Sequence, residues 1–314
     1  MSIKGLFSDT HQLTRITILA GILLVLAVVS FGSYYYYDHY YDAPQPEEQE
    51  VTLAHAEQAV RDDPQSPEKR MVLAELYMLN QRYTDAITQA SNVLAAQPDN
   101  QRAWLVLGIA NANTGKPADA IEPLTRFVDA RKDQEMPGLD KSLQAAAYFL
   151  GDSFLQLGKP QEAITPLVQA VDWSQTDADA MYKLGMAYSA VGEYPKAVFM
   201  FHKATTLVPD FLEAYDAMAI AYDAGSQADY GDYARGMSAF SKKDYQAAID
   251  LLLKSAQSQP GFAPTFAGLG LAYEALGNLQ DAKASYQEAV NLDPNNFTAD
   301  RGLERVEILI NKNK

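Results

Sequence analysis

Prolines return along this chain at a fixed interval, and that interval constrains the fold more than any other feature. Pro64 and Pro98 lie 34 residues apart, as do Pro260 and Pro294. Pro98 falls in LAAQPDN, Pro209 in TLVPDF, Pro260 in SQPGF and Pro294 in NLDPNN. Between them a second pattern repeats. Trp104, Leu107 and Gly108 return as Met181, Leu184, Gly185 and Tyr188, and again as Phe266, Leu269, Gly270 and Tyr273. Further on in each unit, Ala197, Phe201 and Ala204 match Ala282, Tyr286 and Ala289, and Ala86, Ala90 and Val93 fill the same places with smaller residues. A self-similar period of this length marks a stacked array, in which one unit cannot cover its own apolar face and neighbours supply the cover.

Apolar residues within each unit recur at a spacing near 3.6, which predicts two helices of about a dozen residues. The first helix of a pair ends at turns such as NTGKP, QLGKP, AVGEY and ALGNL. There glycine is expected in the left-handed cap conformation, and Pro117 and Pro160 can open the next helix because its first amide needs no partner. The residues quoted resemble the tetratricopeptide repeat (TPR) pattern W-x2-L-G-x2-Y, then A-x3-F, then P. The resemblance implies an all-α fold, a TPR superhelical solenoid of antiparallel helix pairs spanning 52–312, preceded by one N-terminal transmembrane helix. Units are placed at 67–100, 101–134, 144–177, 178–211, 229–262 and 263–296. A half-unit at 52–64 reads as a lone second helix, and 297–312 as a cap helix. Pro123 and Pro166 fall inside predicted helices and are expected to bend them. Two breaks interrupt the register: nine inserted positions at 135–143, and an extra first helix at 212–228 with no second helix after it. The second break reads either as a degenerate unit or as a division of the array into two lobes.

In the TPR resemblance the concave surface is lined by the first helix of each pair, at its second, fifth, ninth, twelfth and thirteenth residues. This implies a partner-binding groove containing Met71, Glu75, Tyr148, Asp152, Tyr182, Met186, Tyr233, Met237 and Phe240, with Leu105, Ile109, Asp216, Ile220 and Asp223 on the same surface. The basic clamp with which chaperone-binding relatives hold a terminal carboxylate is missing, since Lys183 and Arg102 stand alone. An apolar, aromatic groove with Glu75, Asp152, Asp216 and Asp223 suits partner proteins offering apolar segments that carry basic residues. The competing assignment for a Tyr/Met stripe at helical spacing is intramolecular core.

Ahead of the repeats, residues 1–15 read as a short cytoplasmic N-terminus and 16–37 as a transmembrane anchor. ITILAGILLVLAVVSF is uncharged, and at 1.5 Å per residue it extends roughly 24 Å, close to a hydrocarbon core of about 30 Å. Arg15 on one side and Tyr34, Tyr35, Tyr36, Tyr37, Tyr40 and Tyr41 on the other are suited to the membrane interface. Lys4 and Arg15 precede the run, and the next basic residue is Arg61. The positive-inside rule therefore places the N-terminus in the cytoplasm and the repeats on the extracytoplasmic side of a single-pass inner-membrane protein. A cleaved secretory signal would export the same domain. Residues 38–51, acidic and Pro-containing, read as a linker.

Chemistry is sparse. Without cysteine there is no disulfide framework, thiolate metal site or thiol nucleophile. A net charge of −15 argues against a nucleic-acid partner. His11, His39, His55 and His202 are scattered, and no phosphate loop, dinucleotide fingerprint, nucleophile elbow or HExxH motif is present. The sequence predicts no cofactor, metal, small-molecule substrate or catalysis. It predicts a membrane-held scaffold or assembly factor that binds proteins through its groove. A permanent accessory subunit of a larger membrane complex is the alternative.

Overall fold

Two kinds of turn, each with its own hydrogen-bond signature, organise the chain. The computed structural model describes residues 46–312, which form fifteen α-helices and no strand. In chain order these are α1 (Pro46–Asp62), α2 (Pro67–Leu79), α3 (Tyr83–Ala96), α4 (Gln101–Asn113), α5 (Pro117–Arg131), α6 (Lys141–Gln156), α7 (Pro160–Trp173) and α8 (Ala178–Ala190). They continue as α9 (Tyr194–Leu207), α10 (Leu212–Ala224), α11 (Ala228–Ser241), α12 (Tyr245–Ser258), α13 (Ala263–Ala275), α14 (Leu279–Leu292) and α15 (Phe297–Lys312). Among these residues no helix is long and apolar enough to cross a membrane. The run at 16–37 and its flanking Arg15 and tyrosines lie outside the described residues.

The first kind of turn closes a helix pair. A left-handed residue stands at its centre: Gly115, Gly158, Gly192 and Gly277, with φ between 68° and 82°, as the glycine pattern predicts. Gln81, Ser226 and Lys243 do the same without glycine, at φ 56°, 60° and 63°. Behind each, an amide reaches back over the helix end, as in Lys116 N to Asn111 O at 2.9 Å and Lys159 N to Phe154 O at 2.9 Å. The second kind joins one pair to the next. There an amide such as Gln97 N, Ser174 N, Val208 N, Gln259 N or Asp293 N closes the helix, and an amide three residues later closes the turn. Asn100, Asp177 and Asn296 then cap the following helix, accepting from Ala103, Ala180 and Ala299.

The described residues fall into two compact units divided between Lys69 and Arg70. In the first, α1 starts at Pro46, inside the stretch expected to be a linker and ahead of the expected half-unit start at 52. Proline at the first helical position and the acidic run Glu47, Glu48 and Glu50 both suit a helix N-terminus, which is why the acidic stretch is helical. In the second unit, small residues of one helix face large ones of its partner. A Cβ on Gly108 would meet the Leu124 side chain at 2.5 Å, and one on Gly185 would meet Phe201 at 2.6 Å. Gly151 with Leu167, Gly236 with Leu252 and Gly270 with Tyr286 repeat the arrangement. Helices α5 and α7 run continuously through the buried Pro123 and Pro166.

The insertion between α5 and α6 is an ordered loop. Asp140 caps α6 through Ser142 N and Leu143 N and takes Arg131 at 2.6 Å. The other break departs from expectation. Helix α10 does have a second helix, and it is α11: Ser226 makes a pair-closing turn between them, with Gln227 N bonded to Tyr222 O at 2.8 Å. Lys243 then makes another pair-closing turn between α11 and α12, with Asp244 N bonded to Ala239 O at 3.0 Å. Helix α11 is therefore second helix to α10 and first helix to α12. It carries the small residue of each role: Gly231 continues the series Ala120, Ala163, Ala197, and Gly236 begins the series continued by Gly270. Ala219 and Arg235 stand where other pairs place a glycine and a large apolar residue. Arg235 instead binds Asp223 at 2.8 Å and Asp232 at 2.9 Å.

Sharing one helix shifts the alternation by half a unit. First helices α4, α6, α8 and α10 touch in succession, and so do α11, α13 and α15. The two rows share no helix, because α11 stands in the layer of second helices relative to α10. The layer of first helices thus changes sides at α11, within the one compact unit that begins at Arg70.

Candidate partner-binding surfaces

Of the groove expected from the sequence, Leu105 to Asp223 lie on the first row, with Met71 and Glu75 on α2 ahead of it. The groove residues separate into packing, ion pairing and exposed surface. Met71 is 2% exposed, in the core with Leu73 and Ala74, so it packs rather than contacts. Leu105, Ile109, Tyr148 and Tyr182 are half-buried against the core that runs from α4 to α10. The Tyr182 ring lies 5.1 Å from Phe211 and 5.9 Å from Phe201. Met186 is 40% exposed and Ile220 66% exposed, on the first helices of successive pairs.

The carboxylates predicted to charge the groove are each held by a cation from another helix. Arg102 grips Glu75 with two bonds of 2.6 and 2.9 Å. Buried Asp152 lies 2.6 Å from Lys183 Nζ, an ionic contact rather than an aligned hydrogen bond, while Gln156 donates to its other oxygen at 2.7 Å. Asp216 takes Ser238 at 2.5 Å and Lys242 at 3.5 Å, and Asp223 takes Arg235. These pairs spend charge on holding neighbouring helices together. The negative field over the groove comes also from residues that the spacing argument passed over. Burial raises the Tyr148 hydroxyl, with Asp152, Asp179 and Asp177 adding to it. Burial likewise raises Tyr182, against Lys183 and reinforced by Glu213 and Asp216. Asp179 and Glu213 are exposed second residues of α8 and α10. That position was legible in the repeat, but its residues were not singled out.

Tyr233, Met237 and Phe240 belong to the other row. Tyr233 is 6% and Met237 4% exposed. Burial, with Tyr215 and Tyr222 nearby, pushes the Tyr233 hydroxyl well up, and the Tyr233 ring meets Phe262 edge-on at 5.1 Å. Both line a cleft of about 550 Å³ whose floor is Tyr233, Met237, Phe240 and Leu271. One end is His202, Thr205, Thr206 and Asp210 from α9 and the turn after it; the other is Phe297, Thr298, Arg301 and Arg305 of α15. The second helix α9 and the first helices α11, α13 and α15 thus bound one cavity, the geometric consequence of the shared α11. The three predicted residues do not join Tyr182 and Met186. They face a different cleft, which the sequence did not reveal because α11 was read in a single role.

Family models described as tetratricopeptide repeat match residues 53–91 and 80–135, 179–210, and 263–296. Human PEX5-related protein is 22% identical over 187 residues, covering 57% of this chain and 29% of that protein. The Mus musculus protein of the same name is also 22% identical over 187 residues, covering 57% of this chain and 32% of its own length. The chain thus spans about a third of the length of the curated relatives it matches. Among solved structures, MamA is similar at 28% identity and a TM-score of 0.47, covering 61% of this chain and 94% of that one. YrrB, described as a TPR protein with an unusual peptide-binding site, is similar at 18% identity and 0.47, covering 71% and 97%. Tetratricopeptide repeats are thus recognised in these stretches of an all-α solenoid of helix pairs.

Proposed function

We propose that this protein is a non-catalytic scaffold or assembly factor. In this reading it is held in a membrane by residues 16–37 with its repeats on the extracytoplasmic side, and it binds proteins through the groove of the first row. One observation carries the binding half: Met186 and Ile220 are exposed beside half-buried Tyr148 and Tyr182, with Asp179 and Glu213 close by. Exposed apolar side chains beside aromatic rings and carboxylates match an apolar segment with basic residues. The uncharged run at 16–37 and the tyrosines after it support the anchor.

The groove is tested with Met186→Glu combined with Ile220→Glu. Both sites are exposed, so thermal stability should hold while binding of a short capped peptide of Phe, Leu and Lys falls about tenfold or more. Unchanged binding would remove the groove from the account. The anchor is tested separately by carbonate extraction and protease protection of the full chain in membranes. Release into the soluble fraction, or repeats shielded on the cytoplasmic side, would refute it.

A further inference from the structure

Repeats supply an internal control for exposed positions, because one place recurs in helix after helix with the same packing duty. In the second helices, Ala90, Leu124, Leu167, Phe201, Leu252 and Tyr286 take the inward place. Two residues earlier the side chain points outward. Apart from α11, which packs in two roles, that outward place holds Thr88, Glu122, Thr165, Asp250 and Ala284, all exposed. In α9 it holds Phe199, 56% exposed. Three residues earlier again, α3, α5, α7 and α14 carry Asp85, Asp119, Glu162 and Asp281, and α12 carries Ala247, whereas α9 carries Lys196. Packing asks for neither change, and an outward phenylalanine buries little area on folding.

The surroundings of Phe199 say what would cover it. Lys203, one turn on, lays its ammonium over the ring at 5.5 Å and has no carboxylate partner among the described residues. Lys196 is held by Glu193 at 3.1 Å on the same helix and lies 5.4 Å from the Tyr188 ring, so Lys203 is the cation left to a partner. Leu207, 41% exposed, continues the apolar strip two turns beyond Phe199. The patch is therefore apolar with one open cation, bounded along the chain by Glu193 before it and Asp210 after it. A narrow segment bearing a carboxylate beside an apolar side chain matches it. A flat anionic bilayer would also meet Glu193, Asp210 and the exposed Asp119, Glu122 and Glu162, in a chain of net charge −15. A second copy offers carboxylates on its other second helices, but Thr88, Thr165 and Ala284 stand where an apolar neighbour is needed.

We infer that the outer face of α9 is a docking site for a short segment of another protein that carries a carboxylate next to an apolar side chain. The apolar group packs on Phe199 and Leu207, and the carboxylate takes Lys203. Because α9 is a second helix, the site is apart from the Met186 groove, and Phe199 and Lys203 do not line the cleft beside α9. It stands whether or not the groove binds.

The test uses the full chain in mild detergent and a fluorescent, capped helical peptide of Ala with Leu, Phe and Glu on one face. The peptide should bind, and Phe199→Ser and Lys203→Glu should each weaken it about tenfold or more, with Lys203→Gln between. Thermal melting should not change. A peptide with Lys in place of Glu should bind the Lys203→Glu chain better than the parent, a gain that a misfolded variant could not give. Met186→Glu with Ile220→Glu should leave the Glu peptide bound, so failure of the groove and failure of this site are told apart. No binding of the Glu peptide, or binding indifferent to both α9 substitutions, overturns the site. Release of the peptide by phosphatidylglycerol micelles but not by phosphatidylcholine micelles would make the occupant a lipid surface and overturn it too. So would a dimer in sedimentation velocity that Phe199→Ser abolishes, which would make the occupant a second copy.

Discussion

Gly302→Ala in α15 sets two familiar effects against each other, and the geometry decides between them. Alanine in a helix interior should gain about 1 kcal/mol over glycine. Here, however, the new Cβ would stand 2.6 Å from Cε1 and Cε2 of Tyr286 and closer still to Cζ. Ordinary contact begins near 3.4 Å, so the ring or the helix would have to move by roughly an ångström. The ring cannot retreat. Tyr286 is fully buried, and on the α13 side a Cβ at Gly270 would already overlap Cγ at 2.7 Å. Its hydroxyl is tied to Glu274, which Arg305 of α15 holds in turn. Overpacking a site enclosed in this way costs about 3 kcal/mol, for a net loss of about 2 kcal/mol. The loss should be local, because neighbouring units stabilise one another only in sequence. Hydrogen exchange should therefore show α15 and the end of α14 losing protection while α4 to α8 keep theirs. Tyr286→Leu, which installs the residue used at Leu124, Leu167 and Leu252, should restore much of the loss in the double variant. A Gly302→Ala chain as stable as the parent, or more so, would refute the reasoning.

Acid should loosen the second unit at defined points. Burial pushes the Asp232 carboxyl up, but hydrogen bonds from Lys254 and Arg235 outweigh it and hold the group below its usual 3.8. Its folded value lies below its unfolded one, so its contribution is present above about pH 4 and lost as pH falls through the lower folded value. Glu274, held down by Arg305 and Tyr286 against its burial, behaves in the same way from 4.5. Asp232→Asn should cost about 1 kcal/mol at neutral pH, a cost that vanishes as pH falls through the lowered folded value; a pH-independent cost in urea melts would sink this account. At the turns, Lys243→Gly should gain about 0.5–1 kcal/mol by relieving a left-handed residue, and Gly277→Ala should lose about 1 kcal/mol. Equal and opposite results in thermal melts would show that the turn conformations are misassigned.

Much of this architecture was legible in the sequence, for physical reasons. A solenoid repeats its packing problem, so Gly108, Gly185 and Gly270 recur where a large residue must approach, and Gly115, Gly158, Gly192 and Gly277 recur where the chain must turn left. What stayed hidden was encoded without glycine. Ser226 and Lys243 adopt the same left-handed turn as ordinary residues, and nothing in their identity marks it. Helix α11 satisfies two registers with Gly231 and Gly236, and reading only the second leaves α10 without a partner. The groove was half legible for a related reason. Spacing locates a helical face, but not the depth at which Met71, Tyr233 and Met237 are buried. Nor does it show that Glu75 and Asp152 are tied to Arg102 and Lys183 of the following pair.

The central claim is that the row of first helices changes sides at α11, and the absence of native cysteine makes it directly measurable. Nitroxide labels on cysteines at Thr206 and Arg301 should report a shorter distance by pulsed electron resonance than labels at Met186 and Arg301. The difference should be about the thickness of one helix layer, roughly 10 Å. In an array whose first helices stay on one side, Met186 and Arg301 would share a face and the order of the two distances would reverse, contradicting the shared helix.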